Sequence, residues 1–133
     1  YTTLFRSFAV NHHLAMKYIM PIRKSLNHRT IFNILGPLTN PANVQKQLIG
    51  VFDKEFVPKI AKALQILDTK KALVVSAKDG MDEISISDIT YATSLEDNKL
   101  KEFIIDPRDY GLKLYDKEEI KGADAVENAQ TTK

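Results

Sequence analysis

Three acidic residues stand close together in residues 78–83, directly after an apolar run that ends at Ser76. In open α/β sheets, ligands bind beyond the carboxyl ends of the strands, so carboxylates in this position are candidate ligands. Magnesium takes oxygen ligands, often one or two carboxylates together with substrate phosphates. The adjacent Asp82 and Glu83 are therefore candidate Mg²⁺ ligands, and a solvated acidic turn is the structural alternative.

Two basic side chains near the amino terminus are the other candidates for chemistry. Arg23 offers a planar fork of donors that matches a carboxylate, although an exposed surface arginine explains it equally well. His13 neighbours His12, and adjacent helical positions do not share a face, so the two make a poor chelating pair. The chain shows no Ser/His/Asp or Cys/His constellation, no Walker-type loop and no dinucleotide fingerprint, and no catalytic base is identified.

Composition and charge limit the class of protein. The 133 residues, 44% hydrophobic and 27% charged, suit one globular core. The lack of cysteine excludes disulfides and is compatible with a cytoplasmic location. No apolar run approaches the roughly 20 residues that span a bilayer. Residues 1–70 carry ten of the 19 Lys/Arg but three of the 17 Asp/Glu, so this half could attract phosphates or nucleic acid, or could be an ordinary solvated surface.

The hydrophobic pattern predicts a strand–helix–strand unit over residues 47–76, with Asp53 as the helix N-cap. A parallel pair of strands needs such a helical crossover. Three further strands, expected to be antiparallel, are predicted at residues 84–86, 90–94 and 100–105, followed by short helical turns at residues 106–107 and 117–120. The predicted fold class is α/β, a partial mixed sheet flanked by helices.

The amino-terminal part reads differently. A helical pattern starts at Asn11, and a second apolar stretch, residues 31–35, is predicted to end at Gly36-Pro37. Residues 1–7 look like the translation of a sequencing-library adapter, and we expect them not to belong to the natural protein.

Four ordered motifs carry a family resemblance. They are Phe8-Ala9 with His13 to Lys17 and Ile22-Arg23, the run over residues 29–41, the D-G-x-D-E-x-S loop at residues 79–85, and a G-A-D-A-V-E-N-A ending at residues 122–129. Together they resemble the anthranilate phosphoribosyltransferases. The resemblance covers residues 8–129 and identifies residues 8–133 as the C-terminal part of the phosphoribosyltransferase α/β domain, without the N-terminal helical domain and the Gly-rich phosphate loop.

The resemblance implies an activity and roles for particular residues. The family transfers a phosphoribosyl group from phosphoribosyl pyrophosphate to the amino group of anthranilate, releasing pyrophosphate, in tryptophan biosynthesis. Arg23 falls on the arginine that binds the anthranilate carboxylate, and His13 on a histidine lining the anthranilate entrance. Asp82 and Glu83 fall on the acidic pair that binds Mg²⁺. The full-length parent is expected to be a homodimer, and the fragment by itself to be inactive.

The chain differs from the family motifs at three positions, and two other functions are alternatives to the one that the resemblance implies. Val10 and Leu14 replace family prolines in the substrate-facing segment, and Ala123 replaces a glycine. A related pyrimidine nucleoside phosphorylase is the nearest enzymatic alternative. A non-catalytic homologue that binds nucleic acid is the second, but the basic half lacks the clustered Lys/Arg with interleaved aromatics of such a surface. We therefore expect neither nucleic acid nor membrane as a partner.

Overall fold

The computed structural model describes residues 25, 32–38, 44–120 and 122. The chain divides into two compact units, Tyr1–Asn43 and Val44–Lys133. In the first unit, the described element is helix α1, Phe32–Leu38. The predicted stop at Gly36-Pro37 is wrong, because the helix continues to Leu38. Proline fixes φ near the helical value but lacks the N–H that would bond to the residue four positions earlier, and here it stands one residue before the helix ends.

The second unit begins with the predicted strand–helix–strand. Strand β1 spans Lys46–Gly50, helix α2 spans Phe56–Ile66 and strand β2 spans Lys71–Ala77. β1 and β2 pair in parallel, with Leu48 opposite Leu73. The prediction of a parallel pair with a helical crossover is confirmed. The N-cap of α2 is Glu55 rather than Asp53, whose side chain instead accepts a 2.9 Å hydrogen bond from the Glu55 N–H in the preceding turn.

Two antiparallel strands complete a mixed four-stranded sheet of order β1-β2-β3-β4. Strand β3 spans Thr90–Glu96 and strand β4 spans Lys99–Ile105. They are joined at Asp97 and Asn98, which both have positive φ (49° and 57°). Two such residues are typical of a type I′ hairpin turn, whose twist matches the twist of the flanking strands. At that end of the sheet Lys71 Nζ lies 2.6 Å from Glu96 Oε1, and this hydrogen bond raises the pKa of Lys71.

The hydrophobic core lies between α2 and one face of the sheet. Helix α2 contacts β2 and β3. Its apolar stripe, Val57, Ile60, Ala61 and Leu64, is buried. The facing sheet residues Ile49, Val74 and Leu95 are also buried, with Val74 and Leu95 fully inaccessible. Residues spaced three or four apart on the helix and alternate residues on the strands therefore point into the same core.

One of the strands predicted after β2 is absent, and the two predicted turns are present. Residues 84–86 form no strand, since their backbone belongs to the loop between β2 and β3. Residues 117–120 form the predicted hydrogen-bonded turn, which does not extend into a helix. The helical turn after Asp106 is present as a 3₁₀ helix, Pro107–Tyr110. Within the described part of the chain, no helix is both long and apolar enough to cross a membrane.

The core predicts a clear difference between two leucines of the same helical region. Leu64 is 1% exposed, whereas Leu67 is 56% exposed just beyond the helix. Leu64→Ala should lower the free energy of unfolding by about 3 kcal/mol, because it removes buried methyl groups and leaves a cavity. Leu67→Ala should change it by less than about 1 kcal/mol. Urea unfolding of both variants checks this, and equal losses would contradict the assigned core.

The cap of the 3₁₀ helix predicts a pH effect. The Asp106 carboxylate accepts hydrogen bonds from the Arg108 backbone N–H and from its guanidinium, which approaches to 2.6 Å. The hydrogen bonds from Arg108 lower the pKa of Asp106 from 3.8 to about 2. A lowered folded-state pKa gives stability that is present above pH 3.8 and is lost as the pH falls toward 2.

The carboxyl carbon of Asp106, followed by NMR, should therefore titrate near pH 2. Arg108→Gln should move the midpoint back toward 3.8, while Lys113→Gln, which removes an exposed charge nearby in sequence, should leave it in place. An Asp106 midpoint unchanged by Arg108→Gln would rule out this cause of the shift.

Candidate functional site

The site lies where the parallel strands end. β1 and β2 run in the same direction, and a 2.9 Å hydrogen bond from the Val51 N–H to the Val75 carbonyl continues their pairing past Gly50. The chain leaves β2 at Ala77 and returns at Thr90 to start β3. The connecting loop, residues 78–89, is hereafter the acidic loop. It occupies the carboxyl edge of the parallel pair, as the sequence predicts.

The first half of the acidic loop folds back onto the end of β2. The Ala77 N–H donates to the Met81 carbonyl over 2.9 Å, and the Gly80 N–H donates to the Ala77 carbonyl over 3.1 Å. Gly80 has φ +90°, a left-handed conformation that side chains disfavour. The turn at Gly80 therefore holds the residues that follow it close to the strand end.

Asp79 ties the two halves of the acidic loop together. Its carboxylate accepts a 3.0 Å hydrogen bond from the Met81 N–H and a 2.5 Å hydrogen bond from the Ser85 hydroxyl. A hydroxyl donating to a carboxylate at this distance is a strong, charge-assisted bond. Asp79 therefore serves to hold the two halves of the acidic loop together.

Ser85 is the buried centre of this network. It is 2% exposed. Its N–H donates to the Thr90 hydroxyl over 3.1 Å, and its own hydroxyl oxygen accepts from the Ser87 N–H over 2.9 Å. From the other side, Lys117 Nζ donates to the Asp79 carbonyl over 2.8 Å. The acidic loop is therefore held at both of its ends and from a later segment of the chain.

Asp82 and Glu83 lie between these fixed points, and both are exposed. Neither side chain makes a hydrogen bond or ion pair with another residue that the structure describes. In that same part of the chain, no three His, Cys, Asp or Glu side chains come together in a metal-binding group. Two uncommitted carboxylates fit Mg²⁺, which keeps several waters and completes its shell with substrate phosphates.

A cleft of about 350 Å³ opens beside the acidic loop, lined in part by Phe52, Lys54, Ser76, Lys78 and Tyr91. Lys54 Nζ lies 5.3 Å from the centre of the Tyr91 ring. Lys78 Nζ lies 3.5 Å from an oxygen of Asp88, on the acidic loop. The cleft therefore carries charges of both signs, since Asp53 also lines it and Lys78 is paired with Asp88.

The remaining predicted site residues, His13 and Arg23, lie outside the described residues. The supporting roles of Asp79, Ser85 and Lys117 escaped the sequence analysis. A local signal exists for the first, since an Asp two residues before a backbone N–H in a Gly-containing turn is typical of an Asx-turn. No sequence signal brings Lys117 to the loop, because that contact spans 38 residues.

Comparison with protein-family models matches residues 3–133 to the glycosyl transferase family, a/b domain. The chain is similar to the anthranilate phosphoribosyltransferase of Thermoanaerobacter sp. (strain X514), with 47% identity over 92% of this chain and 36% of the relative. The enzyme of the same name from Methanobrevibacter smithii is also 47% identical, over 94% of this chain and 37% of the relative. The chain therefore spans about a third of the length of these relatives.

Solved structures agree with the sequence comparison. Anthranilate phosphoribosyltransferase from Saccharomyces cerevisiae in complex with PRPP and Mg superposes with a TM-score of 0.78 and 32% identity, covering 89% of this chain and 33% of that one. The same yeast enzyme in complex with 4-fluoroanthranilate superposes with a TM-score of 0.78 and 33% identity. The resemblance inferred from the four motifs and the α/β fold class are both confirmed.

The network around Ser85 predicts a stability difference between two serines. Ser85→Ala removes the donor to Asp79 and the acceptor for the Ser87 N–H, so it should lower the free energy of unfolding by about 2 kcal/mol. Ser94→Ala removes a 3.4 Å hydrogen bond to the Lys101 carbonyl and should cost less than about 0.5 kcal/mol. Urea unfolding compares them, and an undisturbed Ser85→Ala variant would exclude the network as a stabilising element.

Proposed function

Because the chain belongs to the glycosyl transferase family whose a/b domain it matches, we propose that the protein transfers a phosphoribosyl group from phosphoribosyl pyrophosphate to the amino group of anthranilate. The relatives named anthranilate phosphoribosyltransferase support this activity. One structural observation carries it furthest: Asp82 and Glu83 are exposed at the carboxyl edge of the parallel strands and make no hydrogen bond or ion pair with another described residue, on a loop that other residues hold in place.

Asp82 and Glu83 are the residues that would hold the metal. Bound there, Mg²⁺ would neutralise negative charge on the pyrophosphate that leaves. The protein's own contribution is to keep the two carboxylates in place, with no competing hydrogen-bond partner among the residues that the structure describes. The Asp79–Ser85 bond supports this role, because it restrains the backbone on both sides of the pair. The similar yeast enzyme forms a complex with PRPP and Mg, which is consistent with the assignment.

Arg23 and His13 complete the proposal on the side of the acceptor. Arg23 would bind the anthranilate carboxylate through its planar fork of donors, and His13 would line the entrance. The aromatic amine of anthranilate is uncharged near neutral pH and needs little activation, so positioning contributes more than a strong base. These two assignments rest on the resemblance. A homodimeric assembly and a cytoplasmic location also stay predictions.

The test uses a hybrid enzyme in which residues 8–133 replace the matching segment of the Thermoanaerobacter relative. Loss of anthranilate fluorescence, with phosphoribosyl pyrophosphate and Mg²⁺ present, reports turnover. Arg23→Ala should raise the KM for anthranilate by about tenfold or more, since one charged hydrogen-bonding partner is lost. Asp82→Asn with Glu83→Gln should lower kcat/KM by about 10²-fold, because charge stabilisation at the leaving group is lost.

A matched control replaces two exposed acids of the β3–β4 hairpin, Asp97→Asn with Glu102→Gln. Asparagine tolerates the positive φ of position 97, so this pair of substitutions should leave the KM for anthranilate and kcat/KM unchanged. A folded, dimeric hybrid without turnover would contradict the proposed activity and favour the non-catalytic homologue. Binding of single-stranded nucleic acid that weakens steeply with salt would then be the next measurement.

A further inference from the structure

The last residue of β1, Gly50, lies against the backbone of Asp82. A Cβ atom built on Gly50 would lie 1.5 Å from the carbonyl oxygen of Asp82 and 2.5 Å from its carbonyl carbon. Real Cβ atoms essentially never come closer than 3.0 Å to another heavy atom. The backbone of the acidic loop therefore packs on the backbone of Gly50 at a position that a side chain would fill.

The strand is the less movable partner in this contact. Gly50 is paired with Val75, and the next residue donates a 2.9 Å hydrogen bond across the same pair of strands. Its neighbours Ile49 and Val51 are 5% and 4% exposed, so displacing β1 would disturb the core. A methyl group at position 50 therefore displaces Asp82, whose carbonyl oxygen must retreat by roughly 1.5 Å.

The displacement cannot spread far along the acidic loop. On one side the Met81 carbonyl accepts from the Ala77 N–H, and on the other Ser85 is held by Asp79 and Thr90. The exposed segment between these points must absorb the shift, and it contains both carboxylates of the pair. Because a misplacement of about 1 Å is enough to cost a site much of its function, this contact sets how the pair is presented.

We propose that Gly50 is a positioning residue for the divalent-cation site. Because it has no side chain, the Asp82 backbone can pack directly on β1, and this contact fixes the position from which Asp82 and Glu83 can share one cation. This inference rests on the proposed function of that pair. Gly50 does not touch the cation or the substrate. It acts through the backbone of Asp82, and its role requires the absence of a side chain at that point of the strand.

The first experiment uses the whole 133-residue chain, labelled with ¹⁵N, and Mn²⁺ alone as the probe. Substoichiometric Mn²⁺ should broaden the amide signals around Asp82 and Glu83 in the parent chain. In Gly50→Ala, the amides of residues 81–84 should shift before any metal is added. The Mn²⁺ concentration that gives half-maximal broadening should then rise by about tenfold, the usual effect of losing a group that orients metal ligands.

Two further variants separate position from stability and from the metal assignment. Ile60→Val makes a small cavity under α2, far along the chain from the loop, and should lower the thermal midpoint without changing the response to Mn²⁺. Asp82→Asn with Glu83→Gln removes the proposed ligands and should abolish the broadening near them. The same variants in the hybrid enzyme should change the Mg²⁺ concentration required for half-maximal rate in the same order.

The outcomes distinguish the two levels of the proposal. If the Asp82/Glu83 double variant keeps the broadening of the parent, the metal assignment itself fails. If the double variant abolishes it but Gly50→Ala behaves like the parent, Gly50 is not a positioning residue. A Gly50→Ala chain that unfolds would show that β1 gives way rather than the loop, and this also overturns the inference.

Discussion

The short hydrogen bond from the Ser85 hydroxyl to the Asp79 carboxylate is the interaction on which the site depends. It joins the start of the acidic loop to its middle. The residues between Asp79 and Ser85 can therefore be exposed to solvent while the loop backbone is restrained. Burial of Ser85 makes the bond effective, because water is excluded from competing with it. The exposed pair is therefore supported by a hydrogen bond whose donor, Ser85, is buried.

The same division of labour runs through the unit that contains the loop. Helix α2 and the sheet form a core in which apolar residues meet at the periods of the two kinds of element. That core fixes where β1 and β2 end, and the loop is built outward from these ends. Chemistry is placed at the margin, where carboxylates remain hydrated and available, and stability is placed beneath it.

The sequence predicts much of this fold because its signals are local. The run of apolar residues in β2 and the helical spacing in α2 suffice for a parallel pair with a crossover. The alternating Ile84-Ser85-Ile86 misleads for a physical reason: Ser85 is buried by hydrogen bonds to Asp79 and Thr90 rather than by strand pairing. The exposed position of Asp82 and Glu83 beyond the end of β2 is also foreseeable from the sequence, while their metal-binding role stays a prediction. The difference between Asp79 and Asp82 is not foreseeable, since it arises from burial and partners rather than from composition.

The β3–β4 hairpin has a consequence for how the family can vary. Because β3 runs antiparallel to β2, the Asp97-Asn98 tip lies at the end of the sheet opposite the acidic loop, about 20 Å away along the seven residues of β2. Both tip residues are exposed. Insertions, changes of charge or attached groups at this tip are therefore expected to leave the carboxyl ends of β1 and β2 unchanged.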